Sequence, residues 1–96
     1  MKITVKSYMT IRKALHDKRA LEIELEPTTL NGLLEILCDR YGDQLRALLF
    51  DPETKKISPH NQICVNTRHY TFLPDRLETR LQDGDVVSLI PPVAGG

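Results

Sequence analysis

Apolar and polar positions alternate through Ile3-Thr4-Val5-Lys6-Ser7-Tyr8, which predicts a strand beginning almost at the N-terminus. Leu21, Ile23 and Leu25 alternate with Glu22, Glu24 and Glu26, the pattern of a half-buried strand with an acidic outer face. The connection from Met9 to Arg19 is too long for a tight hairpin turn. Pro27 ends the second strand, and Thr28 and Thr29 are both candidate N-caps. From there Leu30, Leu33, Leu34, Leu37, Cys38 and Tyr41 recur at helical spacing on one face, so a helix is expected over Leu30 to Tyr41. Gly42 stands where a left-handed C-cap would fall.

The second half is less regular. Leu45 to Phe50 reads as a helical turn or a short strand, and the Pro-containing stretch Asp51 to Asn61 as a loop. Gln62 to Asn66 is expected as a third strand and Tyr70 to Leu73 as a short fourth. Leu77 and Leu81 flank a polar connection, and Gln82-Asp83-Gly84-Asp85 carries a turn signal. Val86-Val87-Ser88-Leu89-Ile90 closes the series as a strand apolar on both faces, which places it centrally. Strands and helix are mixed rather than alternating, so the class is α+β: one helix on one face of a mixed sheet of four to five strands. Any parallel pairing between the second and third strands, across the helix, would be right-handed.

Composition narrows the function classes. With 96 residues, one domain spanning 1–96 is expected, with one modest core and little room for a deep cleft. Lys plus Arg balance Asp plus Glu at 13 each, which argues against a nucleic-acid binder. Cys38 and Cys64 form no CxxC pair and no metal-ligand spacing with His16, His60 or His69; both read as buried free thiols. No apolar run approaches membrane-spanning length and no targeting segment is evident, so a cytoplasmic location is expected, with no membrane partner.

The candidate chemistry lies at the C-terminus. Pro91 and Pro92 cannot donate to a ladder and hold the backbone extended, so a stiff exit from the domain is expected, with residues 91–96 as a flexible tail. Val93 and Ala94 are small to medium apolar residues. Gly95 and Gly96 leave the last carboxylate with no side chains around it, free to enter a narrow channel. The bland reading is a frayed terminus.

The tail Pro91-Pro92-Val93-Ala94-Gly95-Gly96 resembles the ending of the small, sulfur-carrier subunit of molybdopterin synthase (MoaD) and its relative in thiamine synthesis (ThiS). Asp83-Gly84-Asp85 leading into an apolar strand, Val65-Asn66 after the third strand, and Ile11-Arg12 after the first are similar to that family too. Thr67 departs from it, standing where many relatives have Gly, as do Lys6 and Ser7, where larger apolar residues are expected.

The resemblance implies a ubiquitin-like β-grasp fold. It implies that an E1-like adenylyltransferase uses ATP to activate the Gly96 carboxylate, with Gly95 giving clearance. The same resemblance implies that a sulfur donor persulfide protein would supply sulfur for a thiocarboxylate, and that the large subunit of molybdopterin synthase would accept it, in molybdenum or tungsten cofactor synthesis. Pro91, Pro92, Val93 and Ala94 would dock the tail, and Tyr8 and Phe72 would contact the partner, or else belong to the core. The chain is expected to bind no cofactor permanently and no metal, and to be no enzyme on its own. The same activated glycine would serve a ubiquitin-like modifier joined to lysines, or a carrier for thiamine or cysteine synthesis. A plain binding module with an inert tail is the remaining alternative.

Overall fold

A computed structural model describes residues 1–92. Eight regular elements follow in order: β1 (Lys2–Ser7), α1 (Met9–Ala14), β2 (Ala20–Glu24), α2 (Leu30–Tyr41), α3 (Asp43–Leu49), β3 (Gln62–Val65), β4 (Arg68–His69) and β5 (Val86–Ile90). Two 3₁₀ turns, Tyr70–Phe72 and Arg76–Glu78, lie between β4 and β5. The strands form one mixed sheet in the order β2-β1-β5-β3-β4. β5 is central as expected, parallel to β1 and antiparallel to β3.

The period-two patterns sort the sheet into two faces. Ile3, Val5, Ile23, Ile63, Val65, Val87 and Leu89 point inward and are buried. They meet Leu30, Leu33, Leu34 and Leu37 of α2, all fully buried, in one continuous core. Ser7 also points inward, where a larger apolar residue is expected. Its burial is stabilised because Oγ donates to the Lys18 carbonyl at 2.8 Å.

α2 begins and ends where its sequence pattern predicts. Thr29 is the N-cap, its Oγ1 accepting from the Gly32 N–H at 3.1 Å. A Cβ at Gly32 would land on Thr28 Oγ1, so a larger residue there would force that hydroxyl to turn away. Gly42 has φ 93° and donates its N–H to the Cys38 carbonyl; it ends α2 and also opens α3.

Met9 to Arg19 is a long connection as expected and contains helix α1, and Leu45 to Phe50 takes the helical one of its two readings, within and just beyond α3. Three expectations need correction. Tyr70 to Leu73 is not the fourth strand. The fourth strand is Arg68–His69, and the chain then turns because the His69 ring caps the 3₁₀ turn, accepting from the Thr71 N–H at 3.2 Å. β2 and β3 are not neighbours; the parallel pair is β1 with β5. Cys38 is buried, but Cys64 is half-buried on the outer face of the sheet.

Candidate functional site: the tail outlet and the outer sheet face

Strand register fixes what surrounds the outlet of the chain. Ser7 lies beside Leu89, Gln62 beside Ile90, and Lys6 beside Ala20. The end of β5 therefore emerges among the end of β1 and the starts of β2 and β3. Pro91 is buried at this edge and Pro92 is exposed. The proline pair thus straddles the boundary of the domain. Val93, Ala94, Gly95 and Gly96 lie outside the described residues.

The outer face of the sheet runs up to this outlet. Thr4, Val86, Ser88, Ile90 and Cys64 form a half-exposed central band, with Lys6 exposed beside them. Phe72 is 74% exposed, Met9 56% and Tyr8 37%, which makes them the exposed large apolar residues of the described chain. Tyr8 and Phe72 stand on opposite sides of β5. A hollow of about 450 Å³ is lined by Lys6, Tyr8, Asn66, Thr67, Val86 and Ser88. A second, of about 570 Å³, is lined by Gln62, Cys64, Thr67, Arg68, His69 and Phe72. Thr67 borders both. The structure thus brings Tyr8 and Phe72 to one surface and excludes both from the core.

Each aromatic is held by neighbours. The Arg12 guanidinium lies 5.6 Å from the centre of the Tyr8 ring, and Arg12 Nε donates to the Ser7 carbonyl at 3.0 Å. Arg12 is therefore tied to the end of β1. His69 stacks on Tyr70 at 5.0 Å and meets Phe72 edge-on at 6.4 Å. Its Nδ1 accepts from the Thr71 N–H at 3.2 Å and lies 2.8 Å from Thr71 Oγ1, which fixes the ring's orientation. The sequence pattern did not single out Met9; it gave Cys64 as a buried thiol and Thr67 only as a departure from the resemblance, not as parts of this face. The even-numbered register of the strands is the signal that places Cys64 outward.

The two thiols are unlike. Burial raises the Cys38 pKa to about 11, partly opposed by the Arg46 guanidinium and reinforced by Glu35 and Asp39. Burial also raises that of Cys64. Neither is an activated nucleophile. No cluster of three or more metal-ligating side chains occurs among the described residues. No helix among them is long and apolar enough to cross a membrane.

A five-stranded mixed sheet gripping one long helix, with the chain leaving from the central strand, defines a ubiquitin-like β-grasp protein. The chain belongs to the ThiS family, whose model matches residues 7–96. It is 38% identical over 76 residues to a protein of Archaeoglobus fulgidus named as a sulfur carrier protein, covering 79% of this chain and 83% of that one. It is 32% identical to small archaeal modifier protein 3 of Haloferax volcanii, over 100% of both chains. A solved structure from Pyrococcus furiosus named as molybdopterin converting factor subunit 1 superposes with a TM-score of 0.71 at 29% identity, covering 97% of this chain and 99% of that one.

Proposed function

We propose that this chain is a sulfur carrier that works through the Gly96 carboxylate and serves molybdopterin synthesis. The observation that carries the reading is the outlet. The central strand delivers a Pro-Pro exit, followed by Val93-Ala94-Gly95-Gly96, to the edge of a face bearing exposed Tyr8 and Phe72. A partner can seat on that face while the tail reaches into its active site. Family membership and the sulfur-carrier name of the Archaeoglobus relative support the chemistry. The name of the Pyrococcus structure supports the acceptor.

A carboxylate is a poor acyl donor because oxide would have to leave. An E1-like adenylyltransferase joins the Gly96 carboxylate to the α-phosphate of ATP and releases pyrophosphate. Sulfide can attack the acyl carbon, expelling AMP and leaving the thiocarboxylate. If a protein persulfide attacks instead, an acyl disulfide forms, and a second thiol must cleave it, taking the S–S bond as its own disulfide. The large synthase subunit then passes the sulfur to the pterin precursor, regenerating a carboxylate. Gly95 gives the clearance, and Pro91, Pro92, Val93 and Ala94 dock the tail. The chain supplies the reacting atom and the partners the catalytic groups, in a reducing cytoplasm.

Intact-mass spectrometry of the protein from its own cells tests this. Replacement of one terminal oxygen by sulfur is expected. A variant with one residue added after Gly96 should form no thiocarboxylate with the activating enzyme; formation at the normal rate overturns the proposal. A second reading, a modifier joined through Gly96 to lysines, is favoured by full-length similarity to the Haloferax modifier. Adducts of the chain on other proteins in the same spectra would support it.

A further inference from the structure

The chain is neutral overall, but its charges are segregated. Residues 1–19 hold Lys2, Lys6, Arg12, Lys13, Lys18 and Arg19 against Asp17 alone. Residues 20–39 hold Glu22, Glu24, Glu26, Glu35 and Asp39 with no cation. The fold turns this into a polarity along the sheet. Lys6 is next to last in β1, and Arg19 and Ala20 lie beside Ser7 and Lys6, so these residues surround the outlet end. Arg12 is fastened there through the Ser7 carbonyl, and Lys18 accepts from Ser7 Oγ through its own carbonyl. At the opposite end Asp83 accepts from the Lys2 N–H, and Asp85 closes the turn into β5.

The outlet cations are free. Lys6, Lys13, Lys18 and Arg19 are exposed, and none of them, nor Arg12, forms an ion pair among the described residues. Within residues 1–19 these five cations stand against Asp17 alone, and nothing in the core requires them. Such a patch raises the encounter rate with an oppositely charged surface and orients the approach. The orientation given is the useful one, because the basic edge leads and the tail leaves from it.

We propose that Lys6, Arg12, Lys13, Lys18 and Arg19 form a basic collar that docks the outlet against a protein with an acidic rim around the channel that receives the tail. The inference rests on the reading of Gly96 as the activated group. The rim belongs to the activating enzyme. RNA is disfavoured as the occupant because the whole chain carries no cationic excess.

The test measures ATP-dependent thiocarboxylate formation by the purified E1-like adenylyltransferase of the same genome, against salt. For the unmodified chain kcat/KM should fall steeply as salt rises, with KM carrying the change. Lys13→Glu/Lys18→Glu should lower kcat/KM about tenfold at low salt, and the deficit should close near 1 M salt. Lys55→Glu/Lys56→Glu, the same charge change at a hollow lined by Asn31, Glu35 and Tyr70 and by none of the collar residues, should have little effect. Equal KM values for both double variants, or a salt-independent KM for the unmodified chain, overturn the collar and leave the tail reading intact. No adenylate or thiocarboxylate from the unmodified chain overturns both. Loss of RNA retention by the Lys13/Lys18 variant, with activation unchanged, makes the collar a nucleic-acid surface and overturns the assignment. The salt series on the unmodified chain stands independently of how any variant folds.

Discussion

Asn66 clamps the start of the last strand through Asp85: its Nδ2 donates to Asp85 Oδ1 at 2.9 Å, while its Oδ1 accepts from the Val86 N–H at 2.9 Å. The Asn66 N–H also donates to the Val86 carbonyl at 2.7 Å, and Asp85 Oδ2 accepts from the Gln82 N–H at 2.8 Å. The Val65-Asn66 and Asp83-Gly84-Asp85 segments are thus two halves of one device. It fixes where β5 begins and so the register with which the tail leaves. Asn66→Ala should cost about 1–2 kcal/mol. Asp85→Ala should cost a similar amount, and the double variant less than the sum. Urea unfolding of the three variants measures this coupling; strict additivity would mean the clamp is not a unit.

Thr67 has φ 111°, a backbone region that suits glycine and strains a β-branched residue. Releasing that strain outweighs the extra freedom glycine gives the unfolded chain. Thr67→Gly should therefore raise stability by about 1 kcal/mol, read as a higher urea midpoint at unchanged slope. A lower midpoint would show that the threonine side chain makes a contact outweighing the strain.

Cys38 gives the protein an alkaline weakness. Its pKa is raised from 9.0 to about 11 by burial, so the folded state holds the proton more tightly than the unfolded chain. The stabilisation is complete below pH 9 and is lost as pH rises from 9 to about 11. The loss is on the order of 2 kcal/mol. Cys38→Ala should flatten this part of the stability curve, whatever it costs in packing at neutral pH. Iodoacetamide at pH 8 should label Cys64 slowly and Cys38 only on unfolding, as peptide mass mapping would show.

Phe72 should separate binding from folding. Phe72 is 74% exposed, so Phe72→Ala should change stability by less than about 0.5 kcal/mol. If the outer face is the docking surface, the same change should weaken binding to the activating enzyme by about 1–3 kcal/mol. Isothermal calorimetry of complex formation and thermal unfolding of the free chain give the two numbers. Unchanged binding would remove the aromatic from the interface.

Leu37→Ala takes a fully buried side chain from the centre of the α2 stripe and should cost about 3 kcal/mol. Leu48, on α3, is only partly buried, so Leu48→Ala should cost clearly less. A guanidinium chloride series on both variants checks the order.

Local patterns carried a good deal of this. The leucine stripe, the threonine cap and Gly42 bound α2 at Leu30 and Tyr41, because i, i+3 and i+4 apolar spacing has one solution with a buried face. α1 was hidden because its short span buries only Ile11 and Ala14 and its N-cap, Tyr8, makes no capping hydrogen bond. Tyr70 to Leu73 has strand-like composition, yet a histidine cap and Pro74 turn it into 3₁₀ geometry.

What the sequence by itself determined is what depends on neighbours along the chain: alternation in the strands, the helical stripe and the turn at Gly84. Which strands pair was decided only by the tertiary structure, because the β1–β5 contact joins residues some eighty positions apart and leaves no local trace. That pairing carries the tail outlet to the edge held by Arg12 and bordered by Tyr8. It also puts Phe72 and Cys64 on the open face, and gathers on one rim the cations that composition alone had averaged to zero.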